Sequence, residues 1–216
     1  MSLFTILLGG DLTPTPRLVD QIAGSRIIAA DAGMRHAQAL NIVPELWVGD
    51  FDSEPSDLPQ HLKAVERLRF PMAKDKTDGE LAVDEALLLG ATSLILIGAF
   101  GGPRLDHEFL HLTMAIRLVE GGVATLLTSG EQEGLPLSAS NRPNAFDYPE
   151  GTLFSVVAFD DLRGLTVTGS RWRLDRFDMP FGSSRTISNE VRGKLAIELA
   201  SGRAMLVAHP YSAVGF

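Results

Sequence analysis

Ser93-Leu94-Ile95-Leu96-Ile97 runs into Gly98-Ala99-Phe100-Gly101-Gly102-Pro103-Arg104, then into the helix-like stretch Leu105 to Val119, and then into Val123-Ala124-Thr125-Leu126-Leu127. Two strand-length apolar runs joined through a helix make a strand–helix–strand unit, which closes as a parallel pair. Several of the runs are apolar throughout, as strands covered on both faces should be. The alternation extends back toward the N-terminus. Phe4–Leu8, Arg26–Ala30, Leu46–Val48 and Arg67–Phe70 read as strands, and Thr77 to Leu89 as a helix with the stripe Leu81, Ala82, Glu85, Leu88 and Leu89. The fold class expected is α/β, with a parallel-sheet, Rossmann-like domain over residues 1–132.

Past Leu127 the pattern changes. Ser129 to Glu150 is rich in Gly, Ser, Pro and Asn and reads as a linker or surface loop. Thr152–Phe159, Leu165–Gly169, Lys194–Leu199 and Ala204–Ala208 read as strands, with Ser201-Gly202-Arg203 as a hairpin turn between the last two. No long helical pattern follows, so residues 133–216 are expected to form an antiparallel β-sandwich domain.

Composition narrows the function. The 216 residues are 45% hydrophobic and 21% charged, which suits a packed core rather than disorder. A net charge of −8 argues against a nucleic-acid partner. An acidic protein that binds a polyphosphate needs metal ions or a local basic cluster. With no cysteine, disulfides, thiolate nucleophiles and cysteine-bound zinc are excluded. Met1 to Leu8 lacks a basic leader and no apolar run reaches membrane-span length, so a cytoplasmic protein is expected.

Open α/β sheets bind ligands at the carboxyl ends of their strands. Gly9-Gly10-Asp11 follows the first strand and suits either a tight turn or a close backbone approach to a ligand. Ala30-Asp31-Ala32-Gly33 follows the second, where Asp31 either contacts a ligand or caps a helix. Gly49-Asp50-Phe51-Asp52-Ser53 follows the third. Two carboxylates flanking one residue repel each other unless a cation sits beside them, and oxygen-only ligands suit magnesium. An Asp-rich turn is the alternative. In Lys74-Asp75-Lys76-Thr77-Asp78-Gly79-Glu80, Thr77 and Glu80 form a capping box and Asp78 sits at the positive helix end. The same helix start with lysines nearby suits a phosphate. In the loop after Ile97, the glycines free the backbone to wrap a polyphosphate and Arg104 can clamp phosphate oxygens.

His107-Glu108-Phe109-Leu110-His111 matches the H-E-x-x-H pattern of zinc hydrolases. No third ligand stands at a suitable spacing, so His107 is expected to line the site and His111 to pack one turn later.

The Asp50–Asp52 loop, the Lys74–Glu80 segment and Gly101-Gly102…Arg104-Leu105-Asp106-His107, in this order, resemble the thiamine pyrophosphokinase family. So do Asp31-Ala32-Gly33, Pro44, Ser170-Arg171-Trp172-Arg173-Leu174, Phe181-Gly182 and Ile187-Ser188-Asn189-Glu190. The resemblance implies an N-terminal α/β domain, a C-terminal β-sandwich and a homodimer with sites between subunits. It implies transfer of pyrophosphate from ATP to the thiamine hydroxyl, with AMP leaving. Asp50, Asp52, Asp78 and Asp106 would be the catalytic, magnesium-binding carboxylates, one of them a candidate to take the hydroxyl proton. Asp31, Lys74, Asp75, Thr77, Gly101, Gly102, Arg104 and His107 would serve ATP and its phosphates. Ser188, Asn189 and Trp172 would serve thiamine. Pro103 before Arg104, Ala32 and His111 depart from the family pattern without removing a carboxylate. The rival readings are a pyrophosphokinase acting on a hydroxymethyl-pterin, and a non-catalytic nucleotide- or metal-binding module.

Overall fold

The structure is a computed structural model and describes residues 2–51, 57–71, 75–139 and 144–211. Two compact units emerge, Met1–His111 with Val123–Gly130, and Leu112–Gly122 with Glu131–Phe216.

The first unit is built on six parallel strands: β1 (Leu3–Leu7), β2 (Arg26–Ala30), β3 (Leu46–Gly49), β4 (Glu66–Arg69), β5 (Ser93–Ile97) and β6 (Ala124–Thr128). Their order is β6-β5-β1-β2-β3-β4. The chain moves outward from β1 through β4 and then restarts on the other side of β1 with β5. The reversal puts a topological switch point between β1 and β5, where a crevice opens beyond the strand ends. Phe4, Ile6, Leu7, Ile28, Leu94 and Leu96 are buried at 0–1% exposure, as expected of central strands covered on both faces.

The helices are α1 (Pro16–Ile22), α2 (Arg35–Leu40), α3 (Gln60–Lys63), α4 (Asp78–Leu88) and α5 (Leu105–Glu120). Thr15 caps α1 by accepting from the Leu18 N–H, and Pro16 occupies a position where no amide hydrogen is needed. The capping box expected at α4 is present, with Thr77 Oγ1 accepting from Glu80 N and Glu80 Oε2 accepting from Thr77 N. Leu18 and Ile22 of α1, Met34, Trp47 and Leu62 pack with Ile95 and Ile97 in one apolar cluster. Among the described residues no helix is long and apolar enough to cross a membrane.

The second unit holds β7 (Glu133–Leu137), β8 (Asn144–Phe146), β9 (Leu153–Ala158), β10 (Leu162–Ser170), β11 (Leu174–Met179), β12 (Asn189–Glu198) and β13 (Ala204–His209), paired antiparallel. β13 lies between β7 and β9, while β12 pairs β10 along most of its length and meets β9 and β8 at its two ends. One apolar cluster joins them, drawing Phe154, Val156, Leu165, Val167, Leu195 and Leu206 from four strands.

Four sequence expectations change here. The stripe expected on α4 is not its buried face: Ala82, Val83 and Ala86 are buried, whereas Leu88 and Leu89 are exposed. The stretch read as a loop contains β7, hidden in sequence by Gly134 and Pro136. β11, Leu174-Asp175-Arg176-Phe177-Asp178-Met179, is a charged strand paired with β10 and was not anticipated, because its side chains are mostly exposed. Ser201-Gly202-Arg203 does not close a hairpin: β9 lies between β12 and β13, and Ser201 continues the pairing toward Arg163 of β10. Gly202 has φ 107° and no room for a side chain against Asp161 O, which is how the chain leaves β12 for β13.

Leu206 of β13 is fully buried, so Leu206→Ala should destabilise the protein by about 2–5 kcal/mol, read as a lower urea midpoint. Leu88→Ala, at a position 79% exposed, should shift stability by no more than about 0.5 kcal/mol.

Candidate functional site

A cavity of about 640 Å³ lies in the first unit, within the range usual for small-molecule sites. It is lined by the ends of four strands: Leu8, Gly9 and Gly10 after β1, Ala30 to Ala32 after β2, Asp50 after β3, and Gly101 to Arg104 after β5. Thr77, Asp78 and Gly79 add the start of α4, and His107, Glu108 and His111 add the first turns of α5.

The floor is backbone packed on backbone. Gly10 N donates to Gly98 O at 2.9 Å, and Asp11 N to Phe100 O at 2.8 Å. A Cβ on Gly10 would collide with the carbonyl oxygens of Gly98 and Phe100. The Gly10 carbonyl accepts from Arg35 Nη2 at 2.8 Å and from His36 Nε2 at 3.0 Å, and Arg35 Nη2 also donates to Gly9 O at 2.6 Å. In the loop after β5, Gly98, Gly101 and Gly102 all have positive φ, and Glu108 Oε2 accepts from Gly101 N at 3.1 Å.

The acidic wall is held by aromatic side chains. Trp47, fully buried, donates from Nε1 to Asp31 O at 2.9 Å and meets Phe51 edge-on with ring centroids 5.0 Å apart. Arg67 lies over both rings, at 4.6 Å from Trp47 and 5.0 Å from Phe51. Arg69 covers Phe51 at 4.9 Å. Asp31 and Phe51 have φ of 42° and 66°, conformations that side-chain-bearing residues rarely hold without support. The strain falls on the two loops that carry Asp31 and Asp50.

The expected site residues divide. Asp31, Asp50, Thr77, Asp78, Gly101, Gly102, Arg104 and His107 all line this cavity. Asp75 does not, and Lys76 beside it is paired with Asp84 at 2.5 Å. Asp52 and Lys74 lie outside the described residues. Asp106 is not in the lining: its carboxylate takes two hydrogen bonds from Arg104, from Nε at 2.9 Å and Nη2 at 2.6 Å. Those bonds hold the Asp106 carboxyl well below the usual carboxylate range and raise Arg104. Among the described residues no three His, Cys, Asp or Glu side chains group as a metal site. Asp50 and Asp78 on one cavity are nonetheless an oxygen-only donor pair, which suits magnesium when phosphate and water complete its shell. His111 donates from Nδ1 to Ala99 O at 3.2 Å, and its ring stands 6.4 Å from that of His107.

Sequence reasoning missed Arg35, Glu108 and the Trp47–Arg67 support. Arg35 stands four residues past Asp31, and no local pattern marks it.

The second unit has its own smaller cavity, about 280 Å³, lined by Trp172, Leu174, Arg185, Thr186, Ile187, Ser188 and Asn189. Asn189 is buried, and its amide accepts from Trp172 N at 3.1 Å and donates to Trp172 O at 2.8 Å. Its side chain therefore positions Trp172. The indole is half exposed, with Arg171 over its ring at 4.8 Å. Ser188 has φ 59° and donates its N–H to Ser155 Oγ at 3.0 Å.

Residues 22–127 match the family model described as thiamin pyrophosphokinase, catalytic domain, and residues 137–206 that described as thiamin pyrophosphokinase, vitamin B1 binding domain. The curated thiamine pyrophosphokinase of Bacillus subtilis (strain 168) is 27% identical over 198 residues, covering 88% of this chain and 90% of the relative. A crystal structure of thiamine pyrophosphokinase from Bacillus subtilis aligns with a TM-score of 0.83 at 22% identity, covering 97% of this chain and 100% of that one. That from Geobacillus thermodenitrificans aligns at 0.79 and 24%, covering 99% of each chain. At these identities the structural likeness speaks for the fold.

Burial pushes His36 and His111 below the ordinary imidazole value of 6.5, with Arg35 adding to the effect on His36. Below that pH the unfolded chain takes up protons that the folded chain does not, so stability is full above it and declines as pH falls. The thermal midpoint should drop between pH 7.5 and 5.5, and His111→Asn should flatten that slope whatever its effect at pH 7.5.

Proposed function

The chain belongs to the thiamin pyrophosphokinase family, matching the models of both of its domains, and from that premise we propose how its residues divide the reaction. The reaction transfers pyrophosphate from ATP to the thiamine hydroxyl and gives thiamine diphosphate and AMP. The observation that carries the assignment is the single cavity at the switch point, where Asp31, Asp50 and Asp78 meet a glycine-rich loop and Arg104.

ATP lies along the strand ends with its phosphates over Gly101 and Gly102, whose bare backbone admits close approach. Asp50 and Asp78 hold magnesium, joined by Asp52 from the same loop as Asp50. When bound, magnesium offsets the charge of the phosphate oxygens. Asp78 sits in the first turn of α4, where the helix end favours its charge. Thr77 fixes that end through the capping box. Asp106 acts through Arg104, whose guanidinium it orients beside the glycines. Asp31 and His107 complete the ATP side from the cavity wall, with Lys74 joining from the segment before α4, and Asp75, outside the lining, takes no direct part. The hydroxyl oxygen of thiamine bonds to the β-phosphorus, the bond from that phosphorus to the α-phosphate oxygen breaks, and the hydroxyl proton passes to a carboxylate of the set. Positioning and charge neutralisation supply the rate, with no protein nucleophile.

Residues 133–216 form the sandwich-like thiamine side. Trp172 offers its uncovered face to the ring system, Asn189 holds Trp172 in place, and Ser188 offers its hydroxyl. The homodimer belongs to the same proposal: Phe181 and Ile187, exposed at 66% and 47%, are apolar surface that a second copy would cover.

Incubation with ATP, magnesium and thiamine should yield AMP and thiamine diphosphate by chromatography, with a hydroxymethyl-pterin inert as acceptor. ATP binding without AMP release would point to a non-catalytic module instead. Asp50→Asn should lower kcat by at least about 100-fold with an unchanged thermal midpoint, since it removes charge from the metal side without changing shape. Wild-type turnover in that variant removes Asp50 from the metal site. Ser188→Ala should raise KM for thiamine about fivefold, the effect of one hydrogen bond, with KM for ATP little changed. An equal rise for both substrates contradicts its placement.

A further inference from the structure

Two guanidinium groups line the large cavity, both charged, and they differ in the groups that accept their hydrogen bonds. Arg104 has Nε and Nη2 on the Asp106 carboxylate, so its charge is already offset. Arg35 has Nη2 on two neutral acceptors, the carbonyls of Gly9 at 2.6 Å and Gly10 at 2.8 Å. Among the ion pairs of the described residues none involves Arg35. A guanidinium carries five N–H donors, so Nη1 and Nε remain available after the two carbonyl bonds. Carbonyl anchoring fixes where the group points without reducing its charge, and that lowers the ordering cost of binding an anion.

We propose that Arg35 is an ATP-binding residue that holds the phosphate chain against the Gly9–Gly10 turn. The argument rests on the family activity only in naming ATP as the anion. The cavity also carries Asp31, Asp50, Asp78 and Glu108, so an anionic ligand needs a cation there that is not already neutralised. Arg35 sits where β1 ends at the switch point, and its anchors are the floor of the cavity. Arg104 keeps Nη1 and one Nη2 hydrogen for a phosphate, but it meets that phosphate already paired with a carboxylate.

The test is calorimetric binding of ATP with magnesium, and of adenosine, to wild type, Arg35→Gln and Arg35→Lys, beside AMP release in the presence of thiamine. Arg35→Gln should weaken ATP at least about tenfold, the scale of a lost charge-assisted contact, and leave adenosine within about twofold. Arg35→Lys should recover part of the ATP loss, because the charge returns without the two-carbonyl anchor. KM for thiamine should stay within about twofold. An ATP affinity unchanged in Arg35→Gln overturns the proposal, as does equal weakening of ATP and adenosine, which is what a merely structural role at Gly9 and Gly10 would give. Wild type that binds ATP in the expected pattern but releases no AMP leaves Arg35 in place and removes the catalytic reading instead.

Discussion

The approach of Gly10 to Gly98 and Phe100 sets the geometry on which the rest of the site is built. Two peptide chains leave the sheet side by side at the switch point and bond to each other directly, with no side chain between them. Any Cβ at Gly10 would force them apart. Because the approach is so close, the carbonyls of Gly9 and Gly10 turn toward α2, where Arg35 and His36 receive them. On the other side, the loop after β5 needs three left-handed glycines to keep pace, and Glu108 ties it back to α5. Glycine content and cation placement at the switch point thus both follow from one contact.

Much of this was legible in the sequence because it is local. Strand-length apolar runs found β1 to β6 to within a residue or two, and the spacing of Thr77 and Glu80 found the start of α4. Polar residues just past those strands gather on one cavity, since a parallel sheet sends all its carboxyl ends to one side. Arg35 escaped because its place on the cavity is set by the Gly10 carbonyl, twenty-five residues earlier in the chain. Asp106 is the opposite case. Its motif placed it among the cavity carboxylates, yet Arg104 lies only two residues away and engages it first. β7 was hidden by Gly134 and Pro136 although it is largely buried, and β11 by its charged and mostly exposed side chains.

The two cavities solve the same problem by different means. In the first unit, strained Asp31 and Phe51 are held by a fully buried indole and stacked guanidinium groups. In the second, strained Ser188 is held by one backbone bond to Ser155, and the neighbouring Asn189 fixes Trp172 through both atoms of its amide. In each case a side chain that attracts attention in the sequence is supported by one that does not touch the cavity opening, or that touches it only with atoms already engaged.

Trp47 joins β3 to the turn after β2 through a single indole N–H while its ring bears on Phe51. Those two turns cannot therefore breathe as separate events. Loosening one breaks the rivet that steadies the other, so both should exchange their amide hydrogens with solvent in a single cooperative opening. The lone tryptophan of the first unit, fully buried, would then report that opening by its own emission, without any introduced label.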